Sequence, residues 1–107
     1  MYKIGELSRL SKIPVKTLRY YDNEGILMPD YIDDFTGYRY YDAAKLSDCY
    51  RIIALKELGF SLNEIKDAFL LPKDRFSELL LSKEQELNQL KKQTEYRIGI
   101  LRNLNTA

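Results

Sequence analysis

Histidine and tryptophan are absent from this 107-residue chain, and cysteine occurs once. Without histidine there is no imidazole to move protons near neutral pH and no histidine ligand for zinc. The lone Cys49 cannot close an internal disulfide, and no CxxC pair is present to hold a metal. Glycine is scarce, with five residues, and neither a GxGxxG nor a GxxxxGK(S/T) phosphate loop occurs. No apolar run approaches the ~20 residues of a membrane span, and the N-terminus lacks the apolar core of a signal peptide. The reading is therefore of a non-enzyme with no catalytic residue, no metal site and no cofactor, located in the cytoplasm.

What is present suits one folded, water-soluble domain: 45% hydrophobic and 31% charged residues. Seventeen Lys and Arg against sixteen Asp and Glu leave a net charge of +1, which alone points to no acidic partner. The charge is unevenly spread, however. Residues 1–21 carry Lys3, Arg9, Lys12, Lys16 and Arg19 against Glu6 alone, a local +4. Residues 22–60 stand at −4 and the remainder at +1, so the average hides a basic leading edge. Nine residues are Tyr, and five of them fall in two clusters, Tyr20-Tyr21 and Tyr38-Arg39-Tyr40-Tyr41.

Apolar residues at Ile4, Leu7 and Leu10 share one face of a first helix. Ser11-Lys12-Ile13-Pro14 breaks it, and Pro14 suits the start of a second helix, Val15 to Asn23. This one turns Val15 and Leu18 inward, exposes Lys16, Thr17, Arg19 and Tyr20, and ends at Gly25 in a left-handed cap. Helix, turn and helix in so short a span have the size of a helix-turn-helix. Residues Ile26 to Pro29 and Tyr38 to Tyr41 read as short strands around an Asp-rich loop, a wing. Pro29 confines the first of them to an edge. Asp42 can cap a third helix, Ala43 to Leu58, with Leu46, Ile53 and Leu58 inward. Ser61-Leu62-Asn63-Glu64 fits a capping box for a fourth helix, whose Leu62, Ile65 and Phe69 share a face.

From Lys73 onward Phe76, Leu80, Leu87, Leu90, Leu101 and Leu104 fall on alternating steps of three and four. The seam also passes through the polar Lys83, Thr94 and Arg97. A narrow apolar seam on a long charged helix asks for a partner helix. The expected architecture is mainly α: a winged helix-turn-helix over residues 1–71, built of four helices and a small β-hairpin wing, then a coiled-coil helix over residues 72–107.

The strings Ile4-Gly5-Glu6-Leu7, Val15-Lys16-Thr17-Leu18-Arg19-Tyr20-Tyr21-Asp22, Gly25-Ile26-Leu27, Thr36-Gly37-Tyr38-Arg39-Tyr40-Tyr41 and Leu58-Gly59-Phe60-Ser61-Leu62-Asn63-Glu64-Ile65 resemble, in order and spacing, the MerR family of bacterial transcription regulators. Pro29-Asp30-Tyr31 and Tyr38-Arg39-Tyr40-Tyr41 are most similar to its multidrug-responsive, BmrR-like members. The resemblance covers residues 2 to about 70, and the terminal helix fits the family's dimerisation helix. It implies a homodimer, paired through an antiparallel coiled coil, on a pseudo-palindromic promoter spacer in double-stranded DNA. The activator form would distort that spacer so that RNA polymerase engages both promoter hexamers.

By the same resemblance Arg19, Tyr20 and Tyr21 match the family's DNA-contacting Arg-Tyr-Tyr, Tyr38 and Arg39 its wing residues, and Lys56 a further phosphate contact. Helical geometry turns at least one of the two adjacent tyrosines into the core. Lys16 and Thr17 lie nearer the helix start, where base edges are usually read. Cys49 reads as core, and the acids Asp30, Asp33 and Asp34 as a solvated turn. The competing readings are an architectural, excisionase-like DNA bender without effector response and a winged domain that binds only protein. The long helix counts against the first, and the bases at Lys16, Arg19 and Arg39 against the second. The resembled multidrug regulators carry a ligand-binding domain after the dimerisation helix. No stretch of residues 1–107 is left over to form one, so an effector ligand is expected to bind outside this segment.

Overall fold

The computed structural model describes residues 1–106. Among them the elements run β1 (Tyr2–Lys3), α1 (Ile4–Ser11), α2 (Val15–Asn23), β2 (Tyr31–Ile32), β3 (Arg39–Tyr41), α3 (Ala43–Glu57), α4 (Leu62–Ala68) and α5 (Lys73–Thr106). They fall into two compact units, Met1–Leu70 and the segment from Leu71 onward.

In the first unit α1 opens with the Glu6 carboxylate accepting from the Lys3 backbone N–H at 3.1 Å, which satisfies one of the free amides at the helix start. Leu7 is wholly buried and Ile4 half-buried, whereas Leu10, read as part of the same face, is exposed. The helix ends on Lys12 in the left-handed region, φ +67°, with its N–H donating to the Ser8 carbonyl at 2.9 Å. Inside the turn the buried Ser11 hydroxyl accepts from the Ile13 N–H at 3.1 Å. Pro14, with φ −57°, then leads directly into α2. That helix has the bounds its sequence indicates, Val15–Asn23. Gly25 at φ +71° terminates it, and the Ile26 N–H returns to the Tyr21 carbonyl at 2.8 Å.

The wing differs from the sequence reading in two respects. Ile26 to Pro29 are not a strand: Leu27 is a core residue, and the first wing strand is β2, two residues later. The sheet also has three strands rather than two, in the order β1-β3-β2, all antiparallel. Tyr2 pairs with Tyr41 and Lys3 with Tyr40 on one side of β3, while Tyr31 pairs with Tyr40 and Ile32 with Arg39 on the other. A two-residue strand shows no alternation, so nothing local in the sequence reveals β1. At the wing tip Asp33 Oδ1 accepts from the Phe35 N–H at 2.8 Å and the Thr36 N–H at 3.4 Å, a side-chain-capped turn. Phe35 stands fully exposed there.

Leu7, Leu18, Tyr41, Ile52 and Ile65 form the centre of the core. In α3 the inward face is Cys49, Ile52 and Leu55, with Leu46 half-buried. Ile53 and Leu58, expected inward, are exposed. This helix is apolar on more than one side, so periodicity alone does not choose its buried face. The capping box of α4 is formed: Glu64 accepts from the Ser61 N–H at 2.9 Å and Ser61 from the Glu64 N–H at 3.2 Å.

The second unit is dominated by α5, 34 residues or about 51 Å of helix. None of its residues is buried within the chain. Phe76, Leu80, Leu87, Leu90, Leu101 and Leu104 share one stripe, since steps of three and four at about 100° per residue return to the same side. Thr94 lies on that stripe, and its hydroxyl donates to the Leu90 carbonyl at 2.8 Å, which leaves the polar seam residue satisfied within its own helix.

Candidate nucleic-acid interface

Successive residues of a helix advance by about 100°, and this fixes what α2 presents. Leu18 is wholly buried and Tyr21 only 2% exposed, so both face the core. The opposite arc runs from Arg19 through Lys16 and Tyr20 to Thr17. Lys16 and Arg19 are exposed, Tyr20 is 44% exposed and Thr17 half-buried. Four side chains that donate hydrogen bonds thus share the outer face of a helix with an apolar inner face.

A surface depression lies on each flank of this arc. The one beside Arg19 has a volume of about 500 Å³ and is lined by Lys3, Glu6, Arg9, Arg19, Tyr38 and Arg39 among others. Four bases against one acid converge there, in a chain whose net charge is +1. The depression beside Thr17, about 570 Å³, is lined by Lys12, Thr17, Tyr21, Ile53, Lys56 and Glu57 among others. The fold therefore brings Arg19, Tyr38 and Arg39 together on one flank and Thr17 and Lys56 on the other, with Lys16 and Tyr20 on the ridge between. Tyr21 reaches the second depression from a largely buried position, its ring 6.3 Å from that of Tyr20 and tilted to it by 57°. Adjacent helix positions point about 100° apart, so the tyrosine pair divides between surface and interior.

Two contacts fix the wing. The Lys3 ammonium sits 5.4 Å from the centroid of the Tyr38 ring, within cation–π range. The Arg39 Nε donates to Asp22 Oδ2 at 2.8 Å, joining β3 to the end of α2. Beneath the wing the Tyr41 hydroxyl is buried without a hydrogen-bond partner among the described residues. Burial, with the Asp22 charge adding to it, pushes its phenol up to about 12. Burial likewise pushes the Cys49 thiol up to about 11. Both groups are neutral at physiological pH, so the charge of this face comes from its lysines, arginines and acids.

Lys3, Arg9 and Lys12 were not singled out as site residues from the sequence, yet they line the two depressions. Their signal was the basic leading edge of residues 1–21. Among the described residues no three His, Cys, Asp or Glu cluster as a metal site would require, and no helix is long and apolar enough to cross a membrane.

Helix-turn-helix, three-stranded wing and long terminal helix together define a winged helix-turn-helix protein. The crystal structure of the N-terminal part of MtaN, the Bacillus subtilis multidrug transporter activator, superposes on it with a TM-score of 0.86 at 29% identity, covering 100% of both chains. An EcmrR–DNA complex solved by cryo-electron microscopy matches with a TM-score of 0.68 at 30% identity, over 87% of this chain and 34% of that one. Residues 2–70 match the MerR HTH family of regulatory proteins, and the chain belongs to that family. Among curated relatives, the multidrug-efflux transporter 1 regulator of Bacillus subtilis is 35% identical over 82% of this chain and 32% of its own. The HTH-type transcriptional activator mta of the same organism is 33% identical, over 83% of this chain and 37% of its own. The chain spans about a third of the length of these two relatives.

Proposed function

We propose that residues 1–107 are the DNA-binding and dimer-forming part of a transcription regulator acting on promoter DNA in the cytoplasm. The observation that supports this most is the gathering of Lys3, Arg9, Arg19 and Arg39 beside the exposed ridge of α2. A duplex presents closely spaced phosphates along both strands, and a basic depression on the flank of a protruding helix complements one of them.

In this reading α2 enters the major groove, with Lys16 and Thr17 turned to base edges. Arg19, Tyr38 and Arg39 hold the backbone on one side, Lys56 does so on the other, and the Tyr20 hydroxyl donates to a phosphate. Tyr21 acts from below by packing α2 in place. Phe76, Leu80, Leu87, Leu90, Leu101 and Leu104 pair with their copies in a second chain as an antiparallel coiled coil. The two α2 helices then read half-sites about 34–36 Å apart, or a multiple of that. Distortion of the spacer between them alters how RNA polymerase meets the promoter. A relative named as a multidrug-efflux transporter regulator, about two and a half times as long, supports a small-molecule effector bound outside residues 1–107. No part of this reading calls for catalysis or a cofactor. An architectural bender is disfavoured, because the curated relatives are named as regulators and activators.

The test is selection of duplexes from a random library by the chain, followed by footprinting of the selected duplex with and without polymerase. Two protected half-sites and a polymerase footprint altered by the protein are expected. Protection that leaves the polymerase footprint unchanged would favour the bender, and failure to retain any duplex would refute DNA binding.

A further inference from the structure

Asp22 stands where its own helix does not favour it. It lies in the last turn of α2, where the exposed carbonyls make the helix end negative, and that turn carries no basic residue to offset it. Its compensation comes from 17 residues further along the chain, where the Arg39 Nε meets Oδ2 at 2.8 Å. Both side chains are partly shielded, at 30% accessibility for Arg39 and 18% for Asp22. The contact is a charge-assisted hydrogen bond of short length, and it ties the end of α2 to the central strand of the wing.

The way Arg39 is held matters as much as the fact. A guanidinium carries five N–H groups in a rigid planar fork. Asp22 takes the Nε edge, and among the described residues neither terminal nitrogen is hydrogen-bonded. Arg39 also lines the basic depression together with Arg19. The fork is therefore clamped by one edge and keeps its other donors for an anion. A free arginine would have to give up its rotamer freedom on meeting DNA; one clamped beforehand has already given up most of it.

We propose that Asp22 is a positioning residue for DNA binding: its carboxylate fixes the Arg39 guanidinium so that the wing and α2 grip the same duplex as one unit. This rests on the interface proposed above. It also makes a prediction of opposite sign to simple electrostatics. An aspartate near a polyanion repels it, so removing that charge should tighten binding if charge alone mattered. Positioning requires that removal weaken it.

The test uses the intact chain, a fluorescently labelled mixed-sequence duplex at low salt, and fluorescence anisotropy. Asp22→Asn is expected to lower affinity about tenfold, equivalent to about 1.4 kcal/mol, and to reduce the slope of log affinity against log salt by about 0.9 as the Arg39–phosphate contact is lost. Arg39→Ala should lose about as much, and the double variant no more than Arg39→Ala alone, the signature of residues acting as a pair. Arg39→Lys, which keeps the charge but has no fork, should bind like Arg39→Ala; it provides the same test should Asp22→Asn fail to fold. Asp22→Asn binding as tightly as the parent or tighter, or Arg39→Lys binding like the parent, would overturn the proposal while leaving the interface intact. Full affinity in both Arg19→Ala and Arg39→Ala would overturn the interface and the positioning role with it.

Discussion

Leu87 and Leu90 offer the most direct measure of the proposed pairing of α5. They lie near the middle of the helix and are 43% and 54% exposed in the single chain, so about half of each side chain remains for a partner to cover. Full burial of a leucine side chain contributes about 1.5–3 kcal/mol, and half of that is about 1 kcal/mol. The double variant Leu87→Ala/Leu90→Ala removes both residues from each of two chains. Four half-burials amount to about 3–6 kcal/mol of association energy, or about two to four powers of ten in dissociation constant. Sedimentation equilibrium over a concentration series should show the parent as dimer and the variant as monomer across that interval. The parent's midpoint of thermal unfolding should also rise with protein concentration, as mass action requires when association and folding are linked. A variant that dimerises with the parent's dissociation constant would refute the reasoning and move the interface off this stripe.

Arg19→Ala should reduce the slope of log affinity against log salt by about 0.9 while leaving the unfolding midpoint unchanged, since the side chain is exposed; salt titrations with calorimetry check both. Lys12→Gly should raise stability by about 0.5–1 kcal/mol, because a left-handed side-chain-bearing residue costs about 1–2 kcal/mol and glycine's added freedom in the unfolded chain returns part of it. A urea midpoint that falls would contradict this. The share of stability owed to the raised Cys49 and Tyr41 pKa values should be fully present below pH 9 and decline above it. The Cys49 thiol ionises near 9 when unfolded but near 11 when folded, and the Tyr41 phenol near 10 and near 12, so the unfolded state gives up its protons first. Each shift is worth about 2–3 kcal/mol, and Cys49→Ala should flatten the pH 9–11 part of the curve in urea titrations.

Local chemistry is what the sequence made readable. The bounds of α2 follow from Pro14 and Gly25, and the start of α4 follows from Ser61 and Glu64, because in each case the deciding hydrogen bonds lie within four or five residues. Arg19, Lys16 and Thr17 are likewise placed on the outer arc of α2 by helical geometry alone. Through-space relations were not readable. The pairing of Tyr2 with Tyr41 spans most of the first unit, and two residues of strand carry no periodicity. The inward turn of Cys49, Ile52 and Leu55 rather than Ile53 and Leu58 is decided by what packs on α3, not by α3 itself. The joining of Asp22 to Arg39 depends on where a hairpin comes to rest. Each of the two looks like an ordinary surface charge until the wing is folded back onto the helix.

The placement of β1 has a practical bearing on any work with this chain. Residues 2 and 3 are hydrogen-bonded to β3, with Lys3 also over the Tyr38 ring, so they are stitched to a strand that is synthesised some forty residues after them. Until that strand is available, the start of α1 lacks its neighbour, and the wing cannot take its final form. For the same reason an affinity tag or fluorescent protein joined at Met1 would hang beside the basic depression, on the side proposed to face DNA, and strain the short β1–β3 pairing.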